Sequence, residues 1–389
     1  MNFAETSVQQ ELRTLARRFA QKELAPLIEE DERTETFRPE LIRKAGELGL
    51  TGIPVPEEYG GAGLGYSEYI VALEEVAAVS TSYAISLAVT GLPQMIIASA
   101  GTEEQKKKYI PRLASGQAIG AFSLSEASSG SDAASLRTTA RREGDHYILN
   151  GTKLWCTQAD SAEVILLMAR TGGPGAAGVS SFIVEAGMPG LKMGKREKKM
   201  GCATSHTMEI ILENVRVPAT HLVGGEGEGF KVAMKALNGG RITIAACALG
   251  IARSAMGLAT SHSKEREQFG HAIGEFQGIS FMLADMAVQI DAARLLVQRA
   301  AWLRDQGQPF ATEASMAKLL ATDMAMEVTT NTVQILGGSG YTQDFPAERF
   351  MREAKVLQIV EGTNQVQRVI ISRALSLSDA SKGFRRTFE

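Results

Sequence analysis

Cysteine is scarce in this sequence. Cys156, Cys202 and Cys247 are the only three in 389 residues, they lack metal-ligand spacing, and the five histidines do not cluster with them. A reduced compartment therefore fits better than a disulfide framework. Charge of one sign is also lacking: 41 Lys and Arg stand against 44 Asp and Glu, a net of −3. That is no basic footprint for nucleic acid. The first residues hold neither the basic stretch nor the apolar core of a secretory signal, and they lack the Arg- and Ser-rich look of a transit peptide. No apolar run reaches bilayer-spanning length. The expected location is the cytoplasm, with no membrane partner. No Gly-x-Gly-x-x-Gly follows a strand pattern, and the run Gly224 to Gly229 lacks the lysine and Ser/Thr of a phosphate-binding loop. A Rossmann fold and a nucleotidase are both poorly supported.

What is present is an average globular composition, 44% hydrophobic and 22% charged, in a chain long enough for two or three domains. The hydrophobic period divides it into three zones. Over 1–117, Leu12, Leu15, Phe19, Leu24 and Ile28 recur at helical spacing, followed by Ile42, Ala45, Leu48 and Leu50. Pro54-Val55-Pro56 and the glycines after Tyr59 interrupt helix, and 67–100 is apolar enough for buried helices. Over 118–230, short β-prone runs at 147–151, 164–168, 181–184 and 208–212 are parted by turn signals, which predicts a small barrel or sandwich. Over 231–389 helix returns. Ile279, Met282, Leu283, Met286, Ile290, Ala293 and Val297 share one face, predicting an antiparallel bundle with its methionines in the core. The basic tail Lys382 to Arg386 is expected to fray.

The most informative stretch is Ile359-Val360-Glu361-Gly362-Thr363-Asn364-Gln365-Val366-Gln367. Glu361 ends an apolar run, where an ionised carboxylate loses hydration and its pKa rises. A general base that takes a weakly acidic C–H proton at neutral pH needs that. The polar residues that follow suit a large ligand with many acceptors. The same letters also suit an ordinary helix start with a solvated glutamate.

Four further blocks each allow two readings. Phe122-Ser123-Leu124-Ser125, running on to Ser131, is a strand entering a loop of small hydroxylated residues, fit for a ligand or for a linker. In Lys153-Leu154-Trp155-Cys156-Thr157, alternation puts Trp155 and Thr157 on one face, where an indole beside a hydroxyl suits a planar heteroaromatic ring; a core tryptophan is the plainer alternative. Arg266-Glu267-Gln268-Phe269-Gly270 offers a guanidinium for a pyrophosphate, or is a solvated helix end. Gln334 to Tyr341, with Gly337, Gly338 and Gly340, allows close backbone approach to phosphate or adenine, or is a flexible connection.

Taken in order, these blocks resemble the acyl-CoA dehydrogenase family over nearly the whole chain. Pro54 to Gly61, Gly101 to Lys106, Lys199-Met200-Gly201, Val215 to Pro218 and Glu361-Gly362-Thr363 fall in family order with them. The resemblance implies an α+β, mainly α, fold: an N-terminal α-helical domain (1–117), a middle β-barrel domain (118–230) and a C-terminal four-helix bundle (231–389). It implies non-covalent FAD and a homotetramer. Phe122, Leu124 and Ser125 would line the flavin, Trp155 and Thr157 would lie against it, and Thr363 and Gln365 would bind it beside the base. Arg266, Gln268, Phe269, Gln334 and Gly338 would hold diphosphate and adenosine from a neighbouring subunit. Ser131 would bind the CoA moiety, and Asn238 and Arg241 would contact CoA or support the site. The implied reaction is α,β-dehydrogenation of an acyl-CoA thioester, with Glu361 as base. The Glu361 N–H would hydrogen-bond the thioester carbonyl. An electron-transferring flavoprotein would be the acceptor, and no metal is implied.

Some branches place the base one residue before the arginine that matches Arg241. Gly240 stands there, which leaves Glu361. Ser125-Glu126-Ala127 replaces the usual Thr-Glu-Pro, so a looser loop is expected, and Gln158 replaces the usual asparagine. Val360, Gly239 and Gly240 suggest room for a branched or bulky acyl group, with residues 88–96 as a pocket wall. The alternatives are an acyl-CoA oxidase or flavin monooxygenase relative on the same fold, and a scaffold that has lost its flavin.

Overall fold

The structure is a computed structural model that describes residues 4–376. The basic tail lies outside the described residues. Six α-helices open the described residues: α1 (Ser7–Phe19), α2 (Ile28–Thr34), α3 (Pro39–Glu47), α4 (Tyr66–Ala77), α5 (Thr81–Ala100) and α6 (Glu103–Ala114). Thr6, Ser80 and Thr102 cap α1, α5 and α6, each accepting from the third amide of its helix. Eight strands follow: β1 (Gly120–Ser123), β2 (Thr139–Glu143), β3 (His146–Thr157), β4 (Val164–Arg170), β5 (Val179–Glu185), β6 (Leu191–Arg196), β7 (Thr207–Pro218) and β8 (Leu222–Val223). They form one sheet in the order β6-β7-β3-β2-β4-β5-β8, with β1 parallel to β4.

Helix then returns in α7 (Gly229–Glu265). After the small ribbon β9 (Glu267–Gln268) and β10 (His271–Ala272) come α8 (Gln277–Asp305), α9 (Ala311–Leu336), α10 (Gly338–Tyr341), α11 (Ala347–Leu357) and α12 (Asn364–Ser376). α7 is central: it packs on α9, α8, α4, α5 and α11, and every residue from Gly239 to Ala252 is buried.

Strand β4 is buried on both faces, which explains its unbroken apolar run. Ile165, Leu167 and Ala169 join the main core, while Val164, Leu166 and Met168 pack with Ile96, Tyr109 and Leu113 of α5 and α6. The sheet is thereby fixed to the N-terminal helices.

Among the described residues two helices, Thr81–Ala100 and Gly229–Glu265, are long and apolar enough to cross a membrane by length and composition, against the sequence expectation. Their most apolar windows are 72% buried inside the protein, so here they are core helices. Thr81, Ser82, Ser86, Thr90 and Gln94 break the run in α5 and are themselves buried.

Candidate functional site

The expected residues fall into three groups. The first lies where β1 meets β3. Lys153, fully buried, donates to the Leu124 carbonyl at 2.9 Å and to Glu126 Oε1 at 2.8 Å, while Leu154 N–H donates to the Ser125 carbonyl at 2.9 Å. Glu126 also accepts from the amides of Arg137 (2.6 Å) and Thr138 (2.9 Å). The loop expected to be slack without its proline is therefore tied at both ends by one carboxylate. Burial lowers the Lys153 ammonium to about 8, with Glu126 opposing, and the same ammonium helps hold Glu126 below the usual carboxylate range despite burial. Phe122, Leu124, Ser125 and Thr157 are half-buried around this junction.

Simple alternation does not place Trp155. The register of β3 on β7 slips between Lys153 and Cys156, and Trp155 takes a left-handed φ of 58°. The bulge turns the indole outward, 53% exposed, while Lys153 and Cys156 turn inward. The core-tryptophan alternative fails. Gln158, also left-handed at φ 53°, anchors the strand end: its Nε2 donates to Gly120 O (2.7 Å), Thr90 Oγ1 (2.8 Å) and Ser86 O (3.2 Å).

The second group surrounds Glu361, in the turn between α11 and α12. The residue as a whole is half-buried, but its Oε2 is sealed from solvent and has no hydrogen-bond partner among the described residues. Burial raises the carboxyl to about 7, and the cations Arg241 and Lys318 restrain it. A solvated cap is thus excluded. Glu361 has φ 54° and Gly362 φ 85°, so the turn is left-handed twice over. Gly240 of α7 lies directly over the carboxyl; a Cβ built there would sit 2.8 Å from Glu361 Cδ. Among the described residues no acceptor is paired with the Glu361 N–H. Arg241 is buried, hydrogen-bonds Asn238 Oδ1, and has no partner for its Nε among the described residues.

Not all the polar residues after Glu361 turn towards a ligand. Gln367, fully buried, donates to the carbonyls of Gly362 (2.8 Å) and Glu361 (3.3 Å). Asn364 is buried and donates to Thr322 Oγ1 (2.9 Å) and Asp323 Oδ1 (2.6 Å). Thr363, half-buried, accepts from Val366 N–H at 3.2 Å, and Gln365 is exposed. Lys318 escaped sequence reading: it is one lysine in a helical pattern, and nothing local marks it as buried.

The third group lines a cavity of about 360 Å³: Arg266, Gln268, Phe269 and Gly338, with Ile335 and Leu336. Gln334 is exposed one residue before them. Phe269, left-handed at φ 55°, is 94% exposed. Ser131 stands exposed, in the same loop as Ser125 and Glu126. An outward indole, a pinned serine loop and an exposed guanidinium beside glycines form a donor set that fits a dinucleotide with a flat ring system.

Family models describing the N-terminal, middle and C-terminal domains of acyl-CoA dehydrogenase match residues 6–117, 121–215 and 227–376. A short-chain specific acyl-CoA dehydrogenase from Clostridium acetobutylicum is 46% identical, covering 96% of this chain and 99% of that protein. Butyryl-CoA dehydrogenase from Megasphaera elsdenii superposes with a TM-score of 0.95 at 45% identity, over 96% of this chain and all of that one. A chain solved in work on the electron transferring flavoprotein of Acidaminococcus fermentans gives 0.96 at 50% identity, covering 97% of this chain and 100% of that one.

Proposed function

This chain belongs to the acyl-CoA dehydrogenase family and is an oxidoreductase; on that premise we propose that it removes hydrogen across the Cα–Cβ bond of a short acyl-CoA thioester, with Glu361 as the base. The family's enzymes use FAD. Bound FAD supplies the acceptor for the β-hydrogen and its electron pair. Phe122, Leu124, Ser125, Trp155, Thr157, Thr363 and Gln365 hold its ring end, and Arg266, Gln268, Phe269, Gln334 and Gly338 hold the diphosphate and adenosine of a neighbouring subunit's copy.

The observation that carries the reading is the Glu361 carboxyl, sealed and unpartnered at Oε2 beneath Gly240. Its carboxylate takes the α-proton. Its own N–H, which has no acceptor among the described residues, donates to the thioester oxygen as negative charge develops there. Arg241, buried beside Asn238, keeps part of the base ionised. Ser131 meets the CoA moiety. A short acyl group is favoured because the space beside both glycines is filled: the Tyr66 hydroxyl faces Gly239 and the Glu361 carboxyl faces Gly240. The names of the relatives agree with this.

A panel of straight, branched and aromatic acyl-CoAs with a ferrocenium acceptor tests the reading; turnover is expected with butyryl-CoA and to fall with bulk. No bleaching of bound FAD by any acyl-CoA would overturn it. The pH dependence has a definite sign. A base near pH 7 is protonated, and idle, below that value. kcat/KM is therefore expected to fall about tenfold per pH unit below neutrality and to level off above about pH 8. A flat profile from about pH 5 would remove Glu361 as the titrating base.

The proposed electron acceptor is an electron-transferring flavoprotein, supported by the setting in which a 50% identical chain was solved. The proposed assembly is a homotetramer. On α8, Phe281, Val288, Leu295 and Trp302 recur every seven residues and are all exposed, a stripe that suits a second copy. Val288→Asp with Leu295→Asp is expected to lower the mass by light scattering to that of a dimer or monomer and to weaken FAD retention. An unchanged mass would remove the stripe from the interface.

A further inference from the structure

Lys318 lies within α9 with no part of its side chain exposed. Its ammonium donates to the Gly362 carbonyl at 3.0 Å and to Asn364 Oδ1 at 2.8 Å. The reaction above does not use it. A cation there loses its hydration, and a methionine would fill the same space without that loss. The carbonyl it grips belongs to the residue directly after Glu361, in the doubly left-handed turn. Such a turn persists only when its surroundings hold it. Two side chains do so here, Gln367 through both carbonyls and Lys318 through the second. Of these Lys318 alone brings charge.

Resting on the assignment of Glu361 as base, we propose that Lys318 is a positioning residue for it: the buried ammonium fixes the turn that aims the carboxyl, and its field favours the ionised form. The groups facing the pair are few. Glu361 faces Arg241 from α7, Lys318 from α9 and Tyr66 from α4. Lys318 faces Glu361, Arg241 and Asp323 on its own helix. Asp323 is already engaged by Gln358 (2.7 Å), Asn364 (2.6 Å) and Arg368 (2.9 Å). Burial lowers the lysine to about 7 and raises the glutamate to about 7, and each group's charge opposes the burial of the other. Deleting the cation leaves Arg241 as the sole positive group facing the base from these elements, so ionisation of Glu361 moves to higher pH.

The test uses Lys318→Gln, which loses the charge, and Lys318→Met, which also loses the donor. Both are assayed with FAD bound, against pH, with a short acyl-CoA and ferrocenium. Expected is a shift of the acid limb upward by about one unit, roughly tenfold lower turnover at pH 7, and recovery at high pH in the glutamine variant. KM changes little. Should neither variant fold, Asn364→Ala removes one acceptor from the ammonium and is expected to move the limb the same way by less. A limb in its wild-type place in FAD-loaded variants overturns the proposal, because packing alone would lower stability without moving it. Glu361→Gln is run alongside. Its inactivity with an unmoved limb in Lys318→Gln defeats this inference only, whereas an active Glu361→Gln defeats the base assignment beneath it.

Discussion

Glu361→Gln is expected to bind FAD normally and to lose about 10³-fold in turnover, since a positioned base contributes about 10²–10⁴. Glutamine keeps the shape and the backbone turn, so the Glu361 N–H stays in place while the proton acceptor is gone. The loss should fall on kcat more than on KM, as for an interaction that matters only when the proton moves. Turnover within about tenfold of wild type would take Glu361 out of the mechanism. Loss of FAD would instead assign the residue to cofactor binding.

The same variant should be more stable than wild type, and the sign can be worked out. The folded carboxyl titrates near 7 against an ordinary 4.5, so the folded state holds a proton that the unfolded state has released between those values. Its stabilising effect is complete below about pH 4.5 and is lost as pH rises through 7. Above 7 the buried carboxylate costs on the order of 3 kcal/mol, an upper figure because Arg241 and Lys318 share the site. Removing it should therefore raise Tm at pH 8 and leave Tm nearly unchanged at pH 5. A gain in stability paired with a loss of activity is the signature of a group kept for chemistry.

How much of this could be read from sequence depended on whether the signal was local. The helical stripes of α1 and α8 and the β-prone runs of β3, β4, β5 and β7 show in their own letters, because period follows from which face is buried. Glu361 could be singled out because its apolar neighbours adjoin it in the chain. Lys318 could not, because its partners Gly362 and Asn364 lie more than forty positions away and only folding joins them. Trp155 was legible as a residue type but not as a direction: alternation sends it one way, and a one-residue bulge with a left-handed φ decides where it points. Asn364 and Gln367 look like ligand donors in a polar run. The Gln367 amide instead serves the backbone carbonyls of the strained turn, and the Asn364 amide bonds side chains of α9, which no composition rule reveals.

Gly240→Ala should lower kcat/KM about 100-fold while leaving Tm unchanged or raised. Glycine within a helix costs about 1 kcal/mol relative to alanine, so its place in the middle of α7 calls for a reason. The reason is geometric. An added Cβ would lie 2.8 Å from Glu361 Cδ and Oε1 and 3.0 Å from Oε2, closer than contact allows. The helix cannot yield there, being buried without a break from Gly239 to Ala252 and packed against five other helices. The carboxyl is the free end of a side chain and can move, so the fold tolerates the methyl and the base does not keep its aim. A displacement of about 1 Å at a reacting group costs about 10²-fold. The acid limb should shift as well, since a displaced carboxyl meets Arg241 and Lys318 at new distances. If Gly240→Ala kept full activity on a short acyl-CoA, the carboxyl would have room to spare and its sealed position would not be the catalytic one. Comparison with Gly239→Ala then separates the two glycines: that methyl would lie 2.7 Å from the Tyr66 hydroxyl, so it should reshape the acyl end of the site and raise KM for longer chains. The two substitutions, one residue apart, are expected to divide between the proton-transfer step and the choice of substrate.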